Sequence, residues 1–140
     1  LELLKPCKLI KKPNNINLDV YTYYDIFIKK HSLKIYNDVN NSFDTLNDVD
    51  KNRKYDLIPN VYEGGYKIWE CSIDLAEYCI DFLSNRDIDL TQILELGCGH
   101  GIPGCLALSL GFNNVIFTDY NEDVLQNCTW INILSNSKNV

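Results

Sequence analysis

The stretch from Ile93 to Gly104, ILELGCGHGIPG, constrains the fold more than any other part of the chain. A short apolar run ends in glycines at 97, 99, 101 and 104, and a helical pattern follows. Glycines spaced so closely at a strand-to-helix turn let backbone approach a ligand and aim helix N–H groups at it. Pro103 stands in the first turn of the helix and Gly111 at its C-terminal stop. Next, NVIFTD reads as a strand ending on Asp119. NEDVLQNCTWINIL reads as a helix with Asn121 as N-cap, acids in its first turn, and Val124, Cys128 and Ile131 turned inward. Upstream, Ile73, Ala76, Ile80 and Leu83 recur at spacings of three and four, which predicts a helix over Trp69 to Leu83. The order helix, strand, helix, strand, helix is that of an α/β chain with a parallel sheet and right-handed crossovers.

The glycines fit two registers. Gly99-x-Gly101-x-x-Gly104, with Asp119 about 20 residues on, matches the dinucleotide fingerprint of nicotinamide-dependent oxidoreductases. That register starts late, because the strand ends near Leu96. Read from the strand end, the pattern is an acid, Glu95, before alternating Gly97, Gly99 and Gly101. A pyrophosphate on the helix N-terminus would want no carboxylate beside it, whereas a cationic cofactor suits one. Asp119 sits where ribose hydroxyls would lie in either case.

Composition narrows the rest. A 140-residue chain with 46% hydrophobic and 23% charged residues is a globular domain with a real core. Its net charge of -6 argues against bulk electrostatic binding to nucleic acid. No apolar run is long enough to span a membrane. Cysteines at 7, 71, 79, 98, 105 and 128 form no CxxC pair, and with two histidines a zinc site has little support. The expectation is a reduced protein of the cytoplasm or nucleus, with no metal. There is no methionine, so Leu1 is not expected to be a natural start.

Residues 1–55 read as an N-terminal β-leaning and Asn-rich arm. DVYTYYDIFIKK and SLKIYND alternate loosely, with Lys30, His31 and Ser32 as the turn between them. A polar loop follows, with one helical turn near Phe43 to Leu46. The arm is expected to pack on the 56–140 domain or to be partly mobile.

A second motif, VYEGGYKIWEC from Val61 to Cys71, precedes the first long helix. Gly64 and Gly65 permit an unusual backbone there, while Trp69 alone would more often be a core anchor and Glu70 a first-turn acid. Together with ELGCGHG and VIFTDYNEDVLQNCTWIN, this segment resembles the protein-histidine methyltransferases of the seven-strand, methyltransferase-like class, which modify a histidine of a large-subunit ribosomal protein. The likeness runs from about Asp56 to Asn132, and Asn60 departs from it where the family usually has glycine. The resemblance implies a Rossmann-like seven-strand fold, of which this chain holds the lead-in arm, the first helix, and the first two parallel strands with their helices. It implies S-adenosylmethionine (SAM) as cofactor. Ile68, Trp69, Glu70, Cys71 and Ser72 would border SAM. Glu95, Gly97, Gly99 and Gly101 would cradle its methionine part. Asp119, Tyr120 and Asn121 would hold the ribose and adenosine. The partner it implies is a protein substrate, with neither membrane nor direct nucleic-acid binding. A lysine methyltransferase of the same fold and a non-catalytic scaffold remain open as alternatives. No catalytic residue can be named. The chain is expected to be a piece of a longer enzyme, with apolar surface uncovered around Ile116, Phe117 and Ile131.

Overall fold

Period-two alternation sets the first element. In the computed structural model, residues 19, 21–38, 63–84, 92–112 and 114–137 are described. Strands β1 (Tyr21–Ile28) and β2 (His31–Asp38) pair antiparallel, from Tyr21↔Asp38 to Ile28↔His31. Leu33, Ile35 and Asn37 of β2 are buried while Lys34 between them is exposed, as expected of a strand with one covered face. The turn is Lys29–Lys30, one residue earlier than the sequence suggests. His31 and Ser32 are already paired, with Ile28 and Phe27. A tight hairpin loop that follows strand twist wants a left-handed residue at its start, and Lys29 supplies it at φ 54°. Lys29 also forms an ion pair with Asp81.

Helix α1 (Glu70–Ser84) lies where the periodicity places it, with Ala76 and Ile80 buried and Ile73 partly buried. Leu83, expected on the same face, falls outside the side chains described, as do the Phe43–Leu46 turn and Asn60. Strands β3 (Ile93–Glu95) and β4 (Val115–Phe117) are parallel neighbours, with Ile93 opposite Val115 and Glu95 opposite Phe117. Helix α2 (Ile102–Leu110) connects them. It stops at Gly111, whose φ of 104° lets its N–H reach the Leu108 oxygen and the next N–H, from Phe112, reach Ala107. A parallel pair joined by a helix and followed by another is the Rossmann-like α/β arrangement.

The last helix differs from the expected regular run. It is α3 (Glu122–Val124), a π-helical turn (Leu125–Thr129) and α4 (Trp130–Asn136). Thr129 closes the wide turn, its hydroxyl 3.4 Å from the Val124 oxygen five residues back and 2.6 Å from the Gly99 oxygen. Asn121 has the extended backbone of an N-cap but makes no side-chain cap. Its Oδ1 instead accepts the Glu63 N–H at 3.0 Å.

Ile28, Leu33 and Ile35 of the hairpin share one core with Ala76 and Ile80 of α1 and Ile102, Cys105 and Leu106 of α2. The hairpin's Ile28, Leu33 and Ile35 each contribute about 1.5–3 kcal/mol by leaving water, so the hairpin is held by the domain's own core. Its second strand is also latched by polar groups. Asn132 accepts the Tyr36 N–H at 2.6 Å and donates to the Tyr36 oxygen at 3.3 Å. Asn136, one turn on, does the same with Lys34, at 3.0 and 2.9 Å. Two side-chain amides thus stand in for a neighbouring strand along β2. Val124 and Cys128 are buried with Tyr66, and Ile131 is buried as well, so its expected exposure is corrected. Phe117 is half-buried against the main core, and Ile116 is 41% exposed.

Candidate functional site

The turn after β3 alternates. Gly97, Gly99 and Gly101 take φ of 61°, 50° and 70°, with Cys98 and His100 between them. Two of these glycines differ in their surroundings. A Cβ on Gly99 would lie 3.2 Å from the Gly65 oxygen, so the two glycine segments of the sequence touch here. A Cβ on Gly97 would meet nothing within 4 Å, so this residue opens onto free space.

The turn is tied on three sides. The Cys98 N–H donates to the Thr118 oxygen at 2.8 Å, extending the β3–β4 pairing. The Gly99 N–H donates to Asp119 Oδ2 at 2.8 Å, and the Asn121 N–H to Asp119 Oδ1 at 3.0 Å. The Thr129 hydroxyl donates to the Gly99 oxygen. The upstream segment closes over it. Gly64 takes φ 80°, and its oxygen accepts the Trp69 indole N–H at 2.9 Å. A Cβ on Gly65 would come within 2.8 Å of the Val124 methyls. Tyr66 donates to Asp123 at 3.0 Å.

Between these segments lies a cleft of about 170 Å³. Ile68, Trp69, Cys71, Ser72, Gly97, Gly99, Asp119 and Tyr120 line it together. So do Glu63, Lys67, Cys98 and His100, which the sequence reading passed over. Trp69 is no core anchor. Its ring is 41% exposed, with the Lys67 ammonium 4.6 Å from its centre.

Four expected site residues stand apart from the cleft lining. Glu70 is exposed at the start of α1. Asn121 holds Glu63 from the side. Gly101 supports the turn from within, its N–H on the Cys98 oxygen at 2.7 Å. Glu95 faces the opposite way, towards α2. Its Oε2 accepts the Gly104 N–H at 2.8 Å, and it borders a separate, mainly apolar hollow of about 450 Å³ with Leu75, Phe82 and Leu110. Burial pushes the Glu95 carboxyl up to about 7, opposed by the Gly104 amide and reinforced by the Asp119 charge. Gly104 is obligatory for this contact, since a Cβ there would lie 2.6 Å from Glu95 Oε2 and 2.3 Å from the Phe117 ring.

Two buried groups sit at the cleft floor. Burial pushes the Cys98 thiol up to about 12, so it stays protonated. Burial lowers His100 to about 4, so its imidazole is neutral. Neither His100 nor Thr129 was singled out from sequence. His100 lay inside the glycine motif, and the only signal for Thr129 was a hydroxyl on the inward side of the last helix.

A parallel strand pair joined by a helix, an alternating glycine turn and an acid at the end of the second strand define a Rossmann-like α/β domain with its cleft at the carboxyl ends of the strands. A family model described as lysine methyltransferase matches residues 59–140, more than half of the chain, and the chain belongs to that family. It is similar to the histidine protein methyltransferase 1 homolog of Dictyostelium discoideum, 51% identical over 89 residues, 62% of this chain and 27% of that protein. It is 47% identical over 88 residues to histidine protein methyltransferase 1 of Schizosaccharomyces pombe, 58% of this chain and 25% of that protein. Its similarity to the protein of the same name in Saccharomyces cerevisiae is 32% over 120 residues, 79% of this chain and 32% of that protein. The chain thus spans about a quarter to a third of the length of these curated relatives.

Proposed function

We propose that this chain carries the methyl-donor side of a SAM-dependent protein methyltransferase that modifies a histidine, with a large-subunit ribosomal protein as the substrate. Strands β3 and β4 are then two strands of a seven-strand sheet. The observation that carries the reading is the meeting of the Gly64–Trp69 segment with the Gly97–Asp119 turn around one cleft. The names of the relatives favour histidine as acceptor over the lysine of the family description.

The residues present fit SAM. The open space over Gly97 and the backbone of Gly99 suit its methionine part, Asp119 and Tyr120 its ribose and adenosine, and the Trp69 ring, with the Lys67 ammonium already against it, borders the cleft. Ile68, Cys71 and Ser72 form the wall. Glu95 and Gly101 act from beneath by shaping the turn. At about 170 Å³ the cleft is smaller than ligand pockets of roughly 300–1,000 Å³, so it holds part of such a molecule. A bound SAM supplies an activated methyl group for in-line displacement. The chain's own residues align it and exclude water. A neutral imidazole acceptor already carries a free lone pair, so no general base is required. Cys98, the thiol nearest the turn, is kept protonated and does not compete as a nucleophile.

A dinucleotide reading is disfavoured by Glu95. Its carboxylate already occupies the Gly104 N–H at the start of α2, where a pyrophosphate would bind. Titration calorimetry with SAM and NAD tests the choice. SAM should bind and NAD should not; NAD binding without SAM binding would reverse the reading. Mass spectrometry of the methylated ribosomal protein then identifies the acceptor, and a modified lysine would sink the histidine assignment.

A further inference from the structure

The N-terminal hairpin touches the glycine turn through one buried side-chain pair. Asn37, 4% exposed at the end of β2, has its Oδ1 3.1 Å from Nε2 of His100, itself 3% exposed. An amide oxygen only accepts, so Nε2 carries the proton. With the ring neutral, Nδ1 is then a bare lone pair, and it is buried without a partner among the described residues. The same turn is held a second time. Asn132, fully buried, donates to the His100 oxygen at 3.0 Å while its amide also grips Tyr36 of β2. His100 is flanked by the two glycines at φ 50° and 70° and lines the cleft.

A buried imidazole with one nitrogen unsatisfied costs the fold stability, and an apolar residue would fill this place without that penalty. A polar group kept at such a cost in a ligand-lining turn points to a role in setting that turn. Glycine backbone has little conformational preference of its own. The turn therefore takes its shape from what grips it, and on this side the grip comes from the hairpin.

We propose that Asn37 and Asn132 are positioning residues for the cofactor turn: acting through His100, they make the N-terminal hairpin part of the SAM site without its touching the ligand. This rests on the SAM reading above. Linkage is reciprocal: if hairpin docking favours SAM binding, bound SAM must favour hairpin docking by the same factor.

The test uses the complete methyltransferase domain that carries this chain, with two readouts. In calorimetry, Asn37→Ala should weaken SAM by about tenfold, within the usual range of coupling between sites. In hydrogen exchange on the unmutated protein, SAM should slow the backbone amides of Leu33 to Asn37, which lie in the hairpin rather than the cleft. A purely structural bond would slow those amides no more than ligand slows the other core amides through general stabilisation. If Asn37→Ala folds and binds SAM as the unmutated chain does, the proposal is overturned. If that variant does not fold, the exchange experiment decides alone, and slowing at 33–37 no greater than that of the other core amides overturns it. Failure of the unmutated complete domain to bind SAM at all would instead refute the proposed function.

Discussion

Glu95 and His100 are five residues apart on one turn and shift in opposite directions. Glu95 is raised to about 7 from an ordinary 4.5, so the stability it contributes is complete below about 4.5 and is lost as pH rises through 7. His100 is lowered to about 4 from 6.5, so its contribution is present above 6.5 and is lost as pH falls through 4. Between about 4.5 and 6.5 the two slopes oppose each other. Glu95→Gln removes one of them, and the variant should lose stability on acidification faster than the unmutated chain, by up to about 1.4 kcal/mol per pH unit. Denaturant melts at several pH values check this, and parallel profiles would refute it. At Asp119, whose two oxygens hold the Gly99 and Asn121 amides, replacement by alanine should weaken SAM by about 1–3 kcal/mol, the cost of unpaired polar groups. Unchanged affinity in a folded variant would place the ribose elsewhere. The sequence made both acids visible but gave the direction of only one. Along β3 successive side chains alternate, and here Leu94 and Leu96 are exposed while Glu95 turns inward. That polarity is the reverse of what hydropathy suggests, so the carboxylate was expected on the ligand side.

At the scale of elements, helix α1, helix α2 and both parallel strands were legible, because their apolar spacing and their Gly and Pro stops act locally. The contact between the two glycine motifs was not legible, since it joins residues 34 positions apart through backbone alone. It makes a specific demand on Val124. Gly65→Ala should cost about 1–3 kcal/mol by overpacking against the valine methyls. Trimming the partner in Gly65→Ala/Val124→Ala should return part of that loss. A double-mutant cycle in urea reads the coupling, and strictly additive effects would show that the alanine methyl finds room elsewhere. The π-helical turn was invisible for a different reason. LQNCT contains no residue that signals it, and only the grip of Thr129 on Gly99 gives it a cause.

Over the whole molecule, the hairpin was readable as two strands but not as a member of the core. Nothing in the sequence marks Asn132 and Asn136 for this, yet they pair with the backbone of β2. Because Leu33 is fully buried with residues of α1 and α2, Leu33→Ala should cost about 2–5 kcal/mol and move a single unfolding transition. A separate, earlier melting of the hairpin by circular dichroism would show that it is an appendage. The wide turn at Leu125–Thr129 carries one more consequence. It is a helix with a residue to spare, and everything beyond it keeps the rotational phase that the spare residue sets. Removing one residue there would turn the following side chains by about 100° relative to those before it. Thr129 would leave the glycine turn, and both latching asparagines would leave β2. Across a lineage, this stretch should therefore keep its length and its buried Cys128 and Thr129, while the exposed Gln126 varies freely.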